Sequence, residues 1–312
     1  MSDRLDAALV AANAALLAVV GLHTLTGDAL WPAALLANFF NWLLLAAILT
    51  IPVSAVRRCW AAAGLGAVNA LIFLVMYGGL LLPPPRPPAD DDALLVMSAN
   101  LGFSRVDNDA LIELVRTIEP DILATQETLP GTEAALDSQL DAMYPHRARV
   151  EALTILSRYP IRSREALAFD QFKYPVLRAV VDVEGDLIEV YTLDLPDPTL
   201  TLQPLRYNIA AGEDFFRMTL LADPDKPQIW MVDFNMTQRC DHYELVQASG
   251  LVDAHRAAGW GFGSTFPRGG VALPFLRLDY IWYSPELRAT KAYTGPFIGA
   301  DHLPVIVQLE LK

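Results

Sequence analysis

The chain has 312 residues, 53% of them hydrophobic, and its mean hydropathy of +0.30 is too high for an ordinary soluble domain. The formal net charge is −13, but residues 1–89 carry +1, whereas residues 90–312 carry 19 basic and 33 acidic side chains, a net charge of −14. Such an acidic segment lacks the clustered Lys and Arg that bind a polyanion, so long nucleic acid is disfavoured as a partner. A small phosphate ester could still bind at a metal ion.

The excess of apolar residues lies in three runs at the start of the chain. They cover residues 7–26, 29–53 and 60–82. Each reaches the ~20 residues that cross a bilayer. The first run is Ala-rich, and a cleavable signal peptide is its alternative interpretation, but two more runs follow and no small-x-small cleavage site precedes them. We therefore predict three transmembrane helices over residues 1–82. The polar residues within them are interpreted as helix–helix contacts rather than a transport path; they are Asn13, His23, Asn38, Asn41 and Asn69.

The positive residues between the runs indicate the orientation of these helices. Arg57 and Arg58 lie between the second and third runs, so this loop is predicted to be cytoplasmic, whereas the loop with Asp28 is predicted to be outside. The third helix then exits outward. We expect an integral protein of a bacterial inner or plasma membrane, with the lipid bilayer as a partner and the C-terminal domain outside the cytoplasm.

A proline-rich and acidic segment, residues 83–92, separates the apolar region from the rest. Pro83 to Pro88 is predicted to form a stiff polyproline II spacer, and Asp90 to Asp92 follow as a solvated acidic start. The remaining domain, residues 93–312, is long enough for a single substantial core.

Strand and helix patterns alternate along this domain. Strands are predicted at residues 93–100, 121–125, 153–157, 176–183, 186–193, 229–232, 276–283 and 303–311, and helices at 107–118, near 132–142, at 203–222 and near 238–249. Because residues 176–193 form a hairpin, the pattern favours a layered α/β sandwich over a doubly wound parallel sheet.

Polar residues stand at or near the ends of most predicted strands. They are Asn100, Glu127, Asp194, Asp233, Asn235, Asp279, Asp301 and His302. If they converge, they form a carboxylate-rich pocket with one imidazole. Oxygen ligands favour a hard cation such as Mg²⁺, Mn²⁺ or Ca²⁺ over structural zinc. A hard cation beside an Asp–His pair suits phosphoryl chemistry.

Six short motifs in this order resemble the endonuclease/exonuclease/phosphatase family. They are SANLGF with Asn100, PDILATQE with Glu127, LTILSRYPI with Arg158, VDFN with Asp233 and Asn235, RLDYIWYS with Asp279, and ADHLPVIVQLEL with Asp301 and His302. The resemblance covers residues 94–311. It implies a deoxyribonuclease-I-like, four-layer α/β sandwich and a metal-dependent phosphoric ester hydrolase.

The resemblance also implies a metal site and a substrate contact. Glu127 would be the main metal ligand, helped by Asn100 and Asp301, and Mg²⁺ would be the first choice of cation, with Mn²⁺ or Ca²⁺ as alternatives. Arg158, in the third motif, would bind substrate.

The catalytic roles follow from the same resemblance. Asp233 would orient or deprotonate the attacking water, and Asn235 would contact the phosphate. His302 would stabilise or protonate the reacting group at the phosphorus centre. Asp279 would hold the other ring nitrogen of His302, because a carboxylate fixes the tautomer of an imidazole and raises its basicity.

One departure from the family pattern affects the chemistry. The family usually carries a histidine after the hairpin strand, and this chain has Asp194 at the matching place. An ionised Asp repels a phosphate that a histidine could protonate. Asp194 could bind a second metal, act on a different leaving group, or mark a weakened enzyme, and the sequence does not choose among these.

The chain has three further histidines and one aromatic loop. His146, His242 and His255 are interpreted as structural or surface residues. The loop with Trp260 and Phe266 could flank the site and contact an apolar part of the substrate, or belong to the core. The favoured function is extracytoplasmic hydrolysis of a phosphodiester or phosphomonoester, with a lipid headgroup or a small soluble ester as substrate. A nuclease of the same family and a catalytically weakened, membrane-tethered binding protein are the alternatives.

Overall fold

The structure is a computed structural model that describes residues 2–84, 93–172, 174–195, 204–267 and 273–312. The predicted polyproline spacer lies outside the described residues, except for Pro83 and Pro84. The chain divides into an N-terminal helical unit and a C-terminal α/β unit, and each is described by itself.

The helical unit contains the apolar runs. Its α-helices are α1 Ser2–Thr26, α2 Trp31–Ala37, α3 Phe40–Val56 and α4 Trp60–Tyr77. By length and composition, α1 and α4 could each cross a membrane, and α2 with α3 could make a third span that is bent by 70°. The second predicted span is therefore not one straight helix. The break falls at Asn38, whose side-chain amide donates to the Ala34 carbonyl (3.3 Å) and so competes with the helical hydrogen bonds.

Polar side chains inside this unit connect its helices. Asn69 Nδ2 donates to Asn13 Oδ1 (3.0 Å), and Asn13 Nδ2 donates to Thr50 Oγ1 (3.1 Å). These bonds join α4, α1 and α3, as predicted for Asn13 and Asn69. Interhelical hydrogen bonds of this kind help apolar helices to associate where water does not drive them together.

The described part of the α/β unit contains two six-stranded sheets. Its strands are β1 Leu94–Asn100, β2 Ile122–Gln126, β3 His146–Val150, β4 Leu153–Ser157, β5 Ile161–Leu167, β6 Val176–Val183, β7 Asp186–Asp194, β8 Gln228–Asp233, β9 Val252–Asp253, β10 Asp279–Tyr283, β11 Leu287–Thr294 and β12 Val305–Leu311. The strand orders are β11-β12-β1-β2-β4-β3 and β5-β6-β7-β8-β10-β9. The helices are α5 Asn108–Ile118, α6 Pro130–Leu140, α7 Pro204–Thr219, α8 Asp241–Ala248 and α9 Ala254–Ala258.

Apolar side chains fill the layers between these elements. Between the sheets, Val96 and Ile122 belong to the same buried cluster as Ile229 and Met231. On the outer face of the first sheet, Leu111, Val115, Leu136 and Leu140 from α5 and α6 pack with Met97, Leu123 and Leu156. On the outer face of the second sheet, Phe215 of α7 contacts Phe234, and Tyr243 of α8 contacts Trp282. The predicted four-layer α/β sandwich is confirmed.

Four strands and one short helix were missed by the sequence prediction. All four of these strands, β3, β5, β9 and β11, lie at sheet edges, and β5 (IRSREAL) exposes five consecutive residues. Charged residues on edge strands hinder pairing with other chains, but they also remove the alternation of apolar and polar residues that identifies a strand. The predicted strand at 276–283 begins only at Asp279, because Leu276 instead bridges Phe266.

Strand directions bring the predicted polar residues to one end of the sandwich. The parallel pair β1–β2 aligns Asn100 with Gln126, and the parallel pair β7–β8 aligns Asp194 with Asp233. Asp279 begins β10, which runs antiparallel to β8, so it also lies opposite Asp233. The carboxyl ends of four strands and the start of a fifth therefore meet at the same edge.

Candidate active site

Asp233 lies at the centre of this edge and is fully buried. Asn100 Nδ2 donates to one of its carboxylate oxygens (2.8 Å), which connects the first sheet to the second. The backbone N–H of Asn235 donates to the other oxygen (2.8 Å). Two donors from different segments thus fix the orientation of the carboxylate.

The surroundings of Asp233 change its proton affinity. Burial, followed by the nearby carboxylate of Asp279, raises the pKa of Asp233 to about 7, although His302 and the two hydrogen-bond donors oppose the shift. A carboxylate with a pKa near neutral can take up and release a proton at physiological pH. This property suits a general base.

His302 is held beside this carboxylate by Asp279. Its Nδ1 lies 2.8 Å from Asp279 Oδ2 and 3.8 Å from Asp233 Oδ2. Burial opposes the charged imidazolium, but the carboxylates of Asp279, Asp233 and Glu127 outweigh it and raise the pKa of His302 to about 10. Because Nδ1 faces Asp279, Nε2 is the ring nitrogen that can donate to a substrate.

Asp194 and Asn235 lie next to Asp233. Asp194 is buried and accepts a hydrogen bond from Asn235 Nδ2 (3.2 Å), and the same amide donates to the Leu195 carbonyl (2.7 Å). Both amide hydrogens of Asn235 therefore have partners. The predicted contact between Asn235 and a phosphate requires at least one of these bonds to break.

The three predicted metal ligands lie at the same edge: Asn100 ends β1, Glu127 follows β2, and Asp301 lies in the loop before β12, whose start pairs with the end of β1. Glu127 comes directly after β2, is half-buried, and has a positive φ of 54°. Asn100 Oδ1 accepts the Gly102 N–H (2.8 Å). Among the described residues, Asp301 Oδ1 is buried and has no hydrogen-bond partner. An unpartnered buried carboxylate oxygen is costly unless a cation or donor faces it, so the donor set fits a hard cation.

A second donor set adjoins the first, since Asn100 donates to Asp233. One ligand atom each from Asp233, Asp279 and His302 lies within 4.8 Å of the others. The His302 atom in this set is Nδ1, which is already hydrogen-bonded to Asp279 (2.8 Å). Glu127, Asn100 and Asp301 therefore remain the candidate ligands of a cation.

Gly102 allows the chain to pass close to Asp301. Its φ is 58°, in the left-handed region, and a Cβ at this position would lie 2.5 Å from Asp301 Oδ1. Any larger residue would displace the carboxylate or the loop. The SANLGF motif therefore needs a glycine at position 102 for local steric reasons.

Arg158 is placed away from the other candidates. Arg158 follows Ser157, which pairs with Ile122 at the start of β2. The site adjoins Gln126 at the end of β2, which is ~13 Å farther along the strand. Its guanidinium lies 3.5 Å from Glu119 and 3.9 Å from Asp121. The substrate contact predicted for Arg158 is inconsistent with this placement.

Arg105 is a cation at the site that was not predicted from the sequence. Its Nη1 forms an ion pair with Asp301 Oδ2. The signal that could have revealed it is its position, five residues after Asn100 in the loop that leaves β1.

Two roles were predicted for the aromatic loop: flanking the site or belonging to the core. Phe266 packs on His302, with ring centroids 4.8 Å apart, so it flanks the site. Trp260 is 68% exposed, so the alternative that it belongs to the core is wrong.

His255 has a structural role in the same loop. Its Nε2 lies 3.0 Å from the Gly261 carbonyl oxygen, and a Cβ on Gly259 or Gly263 would come within 2.6 Å of its ring. The loop therefore wraps around the imidazole. Burial, assisted by Arg277, lowers the pKa of His255 to about 4.

Acid is expected to destabilise the protein through His255. Its folded-state pKa lies below its ordinary value of 6.5, so its full contribution is present above pH 6.5 and is lost as the pH falls towards 4. By pH 5 the loss is about 2 kcal/mol. Urea unfolding of the full chain in detergent, measured between pH 7 and 5, checks this, with His255→Gln expected to flatten the profile. The same steep profile in His255→Gln would contradict it.

Comparisons with known proteins agree with this architecture. Two stacked sheets with buried carboxylates, amides and an imidazole at one edge define a deoxyribonuclease-I-like protein. The sequence profile of the endonuclease/exonuclease/phosphatase family matches residues 97–302, and the chain belongs to this family. Comparison with curated protein sequences gives no match.

Solved structures with the same fold come from several organisms. A family protein from Leptotrichia buccalis is 19% identical with a TM-score of 0.56, and a humanized D. rerio TDP2 is 17% identical with a TM-score of 0.57. The mannosyl-6-phosphatase of Bacteroides thetaiotaomicron is 17% identical with a TM-score of 0.53. Each comparison covers 70% of this chain and 100% of the other. These identities show the fold alone.

Proposed function

We propose that this protein is a membrane-anchored phosphoric ester hydrolase that depends on a divalent cation and acts outside the cytoplasm. The observation that carries the proposal is the buried cluster of Asp233, Asp279 and His302 at the ends of the strands. Membership of a family of phosphodiesterases, phosphatases and nucleases supports a hydrolase. The apolar helices α1 and α4, and the bent pair α2–α3, support the anchor.

Glu127, Asn100 and Asp301 would hold the cation, Mg²⁺ in the first instance. When bound, it would neutralise negative charge on the phosphate oxygens. The unpartnered Asp301 Oδ1 and the all-oxygen donor set are the features that fit it.

Asp233 and His302 supply the proton transfers. Asp233 accepts a proton from the attacking water, because burial gives this fixed carboxylate the proton affinity of a general base. His302 stays protonated and donates from Nε2 to a phosphate oxygen as negative charge develops there. Asp279 holds the ring in the orientation that this donation needs.

For Asn235, the structure favours a positioning role. Its backbone N–H fixes Asp233 and its side-chain amide fixes Asp194. We therefore propose that Asn235 orients the two carboxylates in the resting chain, and that a phosphate contact forms only if the bond to Asp194 is exchanged.

The proposal is tested by phosphoester turnover with and without a chelator. The full chain in detergent should hydrolyse bis-(p-nitrophenyl) phosphate or p-nitrophenyl phosphate with Mg²⁺, Mn²⁺ or Ca²⁺, and EDTA should abolish turnover. Equal turnover after EDTA treatment would rule out cation dependence. Cleavage of long DNA is expected to be poor, because the domain carries a net charge of −14.

A weakened binding protein is the second candidate, and Asp194 is the observation that favours it. The buried carboxylate lies beside Asp233, where the family has a histidine. Calorimetry with Mn²⁺ separates the two functions. Failure to bind the cation, together with activity gained by Asp194→His, would favour the binding protein.

A lipid phosphoester is the substrate class that the loops around the site favour. Besides Trp260, Phe297 is 44% and Phe275 is 37% exposed. Phe275 N donates to the Phe266 carbonyl (3.0 Å), beside His302, and Phe297 lies four residues before Asp301. Exposed aromatic residues on loops that lead into the site suit contact with acyl chains or the bilayer interface.

Trp260→Ala is expected to lower hydrolysis of a phospholipid in mixed vesicles about tenfold, through about 1.4 kcal/mol of lost apolar contact. Hydrolysis of a soluble ester should not change. Leu187→Ala is the control, because Leu187 is 54% exposed at the opposite end of β7. A Trp260→Ala variant that loses activity equally on both substrates, or on neither, would contradict a role in lipid contact.

A further inference from the structure

Arg105 is an exposed cation tied to a site whose other charged groups are mostly acids. It ends the short 3₁₀ turn Phe103–Arg105 that follows Gly102, and its side chain is 62% exposed. Its Nη1 contacts Asp301 Oδ2, while Asp301 Oδ1 is buried without a partner among the described residues. One carboxylate therefore has one oxygen in an ion pair and the other oxygen unsatisfied.

Charge at this edge of the sandwich makes an anionic substrate difficult to bind. Asp194, Asp233 and Asp279 are buried together here, and Asp301 and Glu127 lie beside them. A phosphate ester entering such a site is repelled unless cations offset these charges. A guanidinium matches phosphate well, because its planar fork can donate two parallel hydrogen bonds.

We propose that Arg105 is a substrate-phosphate-binding residue that competes with the divalent cation for Asp301. In the chain without cation, the guanidinium neutralises Asp301. When a cation binds Asp301 through the unpartnered Oδ1, it offsets the charge of the carboxylate, so the guanidinium is held less strongly at Oδ2 and is available to the phosphate. The inference rests on the proposed function, since it assumes a cation at Asp301 and a phosphate ester in the site.

The geometry allows this exchange at little cost. The guanidinium of Arg105 is exposed enough for water to solvate it when the pair separates, and a bound cation would then balance the charge of Asp301, which is only 21% exposed. By contrast, the buried Arg277–Asp253 pair, both of whose side chains are nearly inaccessible, could not exchange partners without a large desolvation cost. The two arginines thus differ in what they can do: Arg277 is structural, and Arg105 can move between ligands.

The competing explanation is that Arg105 pins Asp301 in place for the cation. The two roles differ in the sign of one measurement. If Arg105 competes, removing it exposes Asp301 and tightens cation binding. If Arg105 pins the carboxylate, removing it loosens cation binding.

The test uses the full chain in detergent micelles and two binding measurements that need no turnover. Mn²⁺ affinity is measured from the electron paramagnetic resonance signal of free Mn²⁺. Affinity for inorganic phosphate is measured by calorimetry at saturating Mn²⁺. We expect Arg105→Ala to bind Mn²⁺ at least about threefold more tightly and phosphate about tenfold more weakly, the size of one lost charge-assisted contact. Arg105→Lys should recover part of the phosphate affinity.

Arg162→Ala is the matched control. Arg162 is 59% exposed and paired with Asp182, in β5 at the far end of the second sheet, so neither affinity should change. If Arg105→Ala leaves both affinities unchanged, or weakens Mn²⁺ binding, the inference is overturned while the proposed function stands. If the unmodified chain binds no Mn²⁺, the proposed function is overturned and the inference with it.

Discussion

Replacing Asp233 with Asn is expected to lower kcat/KM for a phosphoester about 10³-fold, within the range for losing a positioned general base. The stability of the fold should change by no more than about 1 kcal/mol, because the hydrogen bond lost from Asn100 or Asn235 is offset by removal of a buried charge. The pKa of His302 should fall below its present value of about 10, since one of the carboxylates that raise it is gone.

Three readouts check this expectation together: turnover, thermal unfolding, and titration of His302 by NMR. Asp186→Asn is the control, because Asp186 is an exposed aspartate on the neighbouring strand β7. An Asp233→Asn variant with full turnover would remove Asp233 from the mechanism. Lost turnover with an unfolded protein would show that Asp233 is needed for the fold, not for the chemistry.

Replacing Glu127 with Gln is expected to abolish tight binding of the cation and to lower turnover about 10³-fold, or about 4 kcal/mol of transition-state stabilisation. Gln keeps the size of the side chain and removes only its charge. The backbone at position 127 has a positive φ of 54°, which costs energy for a residue other than glycine. Glu127→Gly should therefore lose the same activity but relieve this strain and unfold at a higher temperature than Glu127→Gln.

Glu151 provides a matched control for this variant. It is also a glutamate with a positive φ, of 49°, but it lies exposed in the turn between β3 and β4. Glu151→Gln should bind Mn²⁺ and turn over substrate as the unmodified chain does. Equal Mn²⁺ affinity in the Glu127→Gln and Glu151→Gln variants would show that Glu127 is not a ligand.

Much of the site could be predicted because its residues end buried strands. The apolar runs of β1, β2 and β8 are recognisable in the sequence, and parallel neighbours place their carboxyl ends together. That is how Asn100, Glu127 and Asp233 could be grouped before the fold was known. Periodicity does not give strand direction, however. Arg158 also ends a strand, β4, but β4 runs antiparallel to β2 and so ends at the other edge.

The family resemblance predicted one partner of a charged residue, Asp279 for His302, and the structure shows this contact, but the other partners of charged residues could not be predicted from the sequence. His255 and His302 are both buried, yet His302 faces two carboxylates and its pKa is raised, whereas His255 faces a carbonyl and Arg277 and its pKa is lowered. Arg105 was missed for a similar reason. Its ion pair with Asp301 joins positions that are 196 residues apart in the chain. They come together because Arg105 follows β1, Asp301 precedes β12, and these two strands pair.

The most direct test of the central claim is the anomalous diffraction of crystals of the full chain soaked with Mn²⁺ and a phosphate analogue. We expect an anomalous peak at about 2.1 Å from carboxylate oxygens of Glu127 and Asp301, with the analogue lying between the cation and the Asp233–His302 pair. Such a result would place a cation and a phosphate at the same strand ends. A peak elsewhere, or no peak at saturating Mn²⁺, would contradict a metal-dependent phosphoesterase centre in this chain.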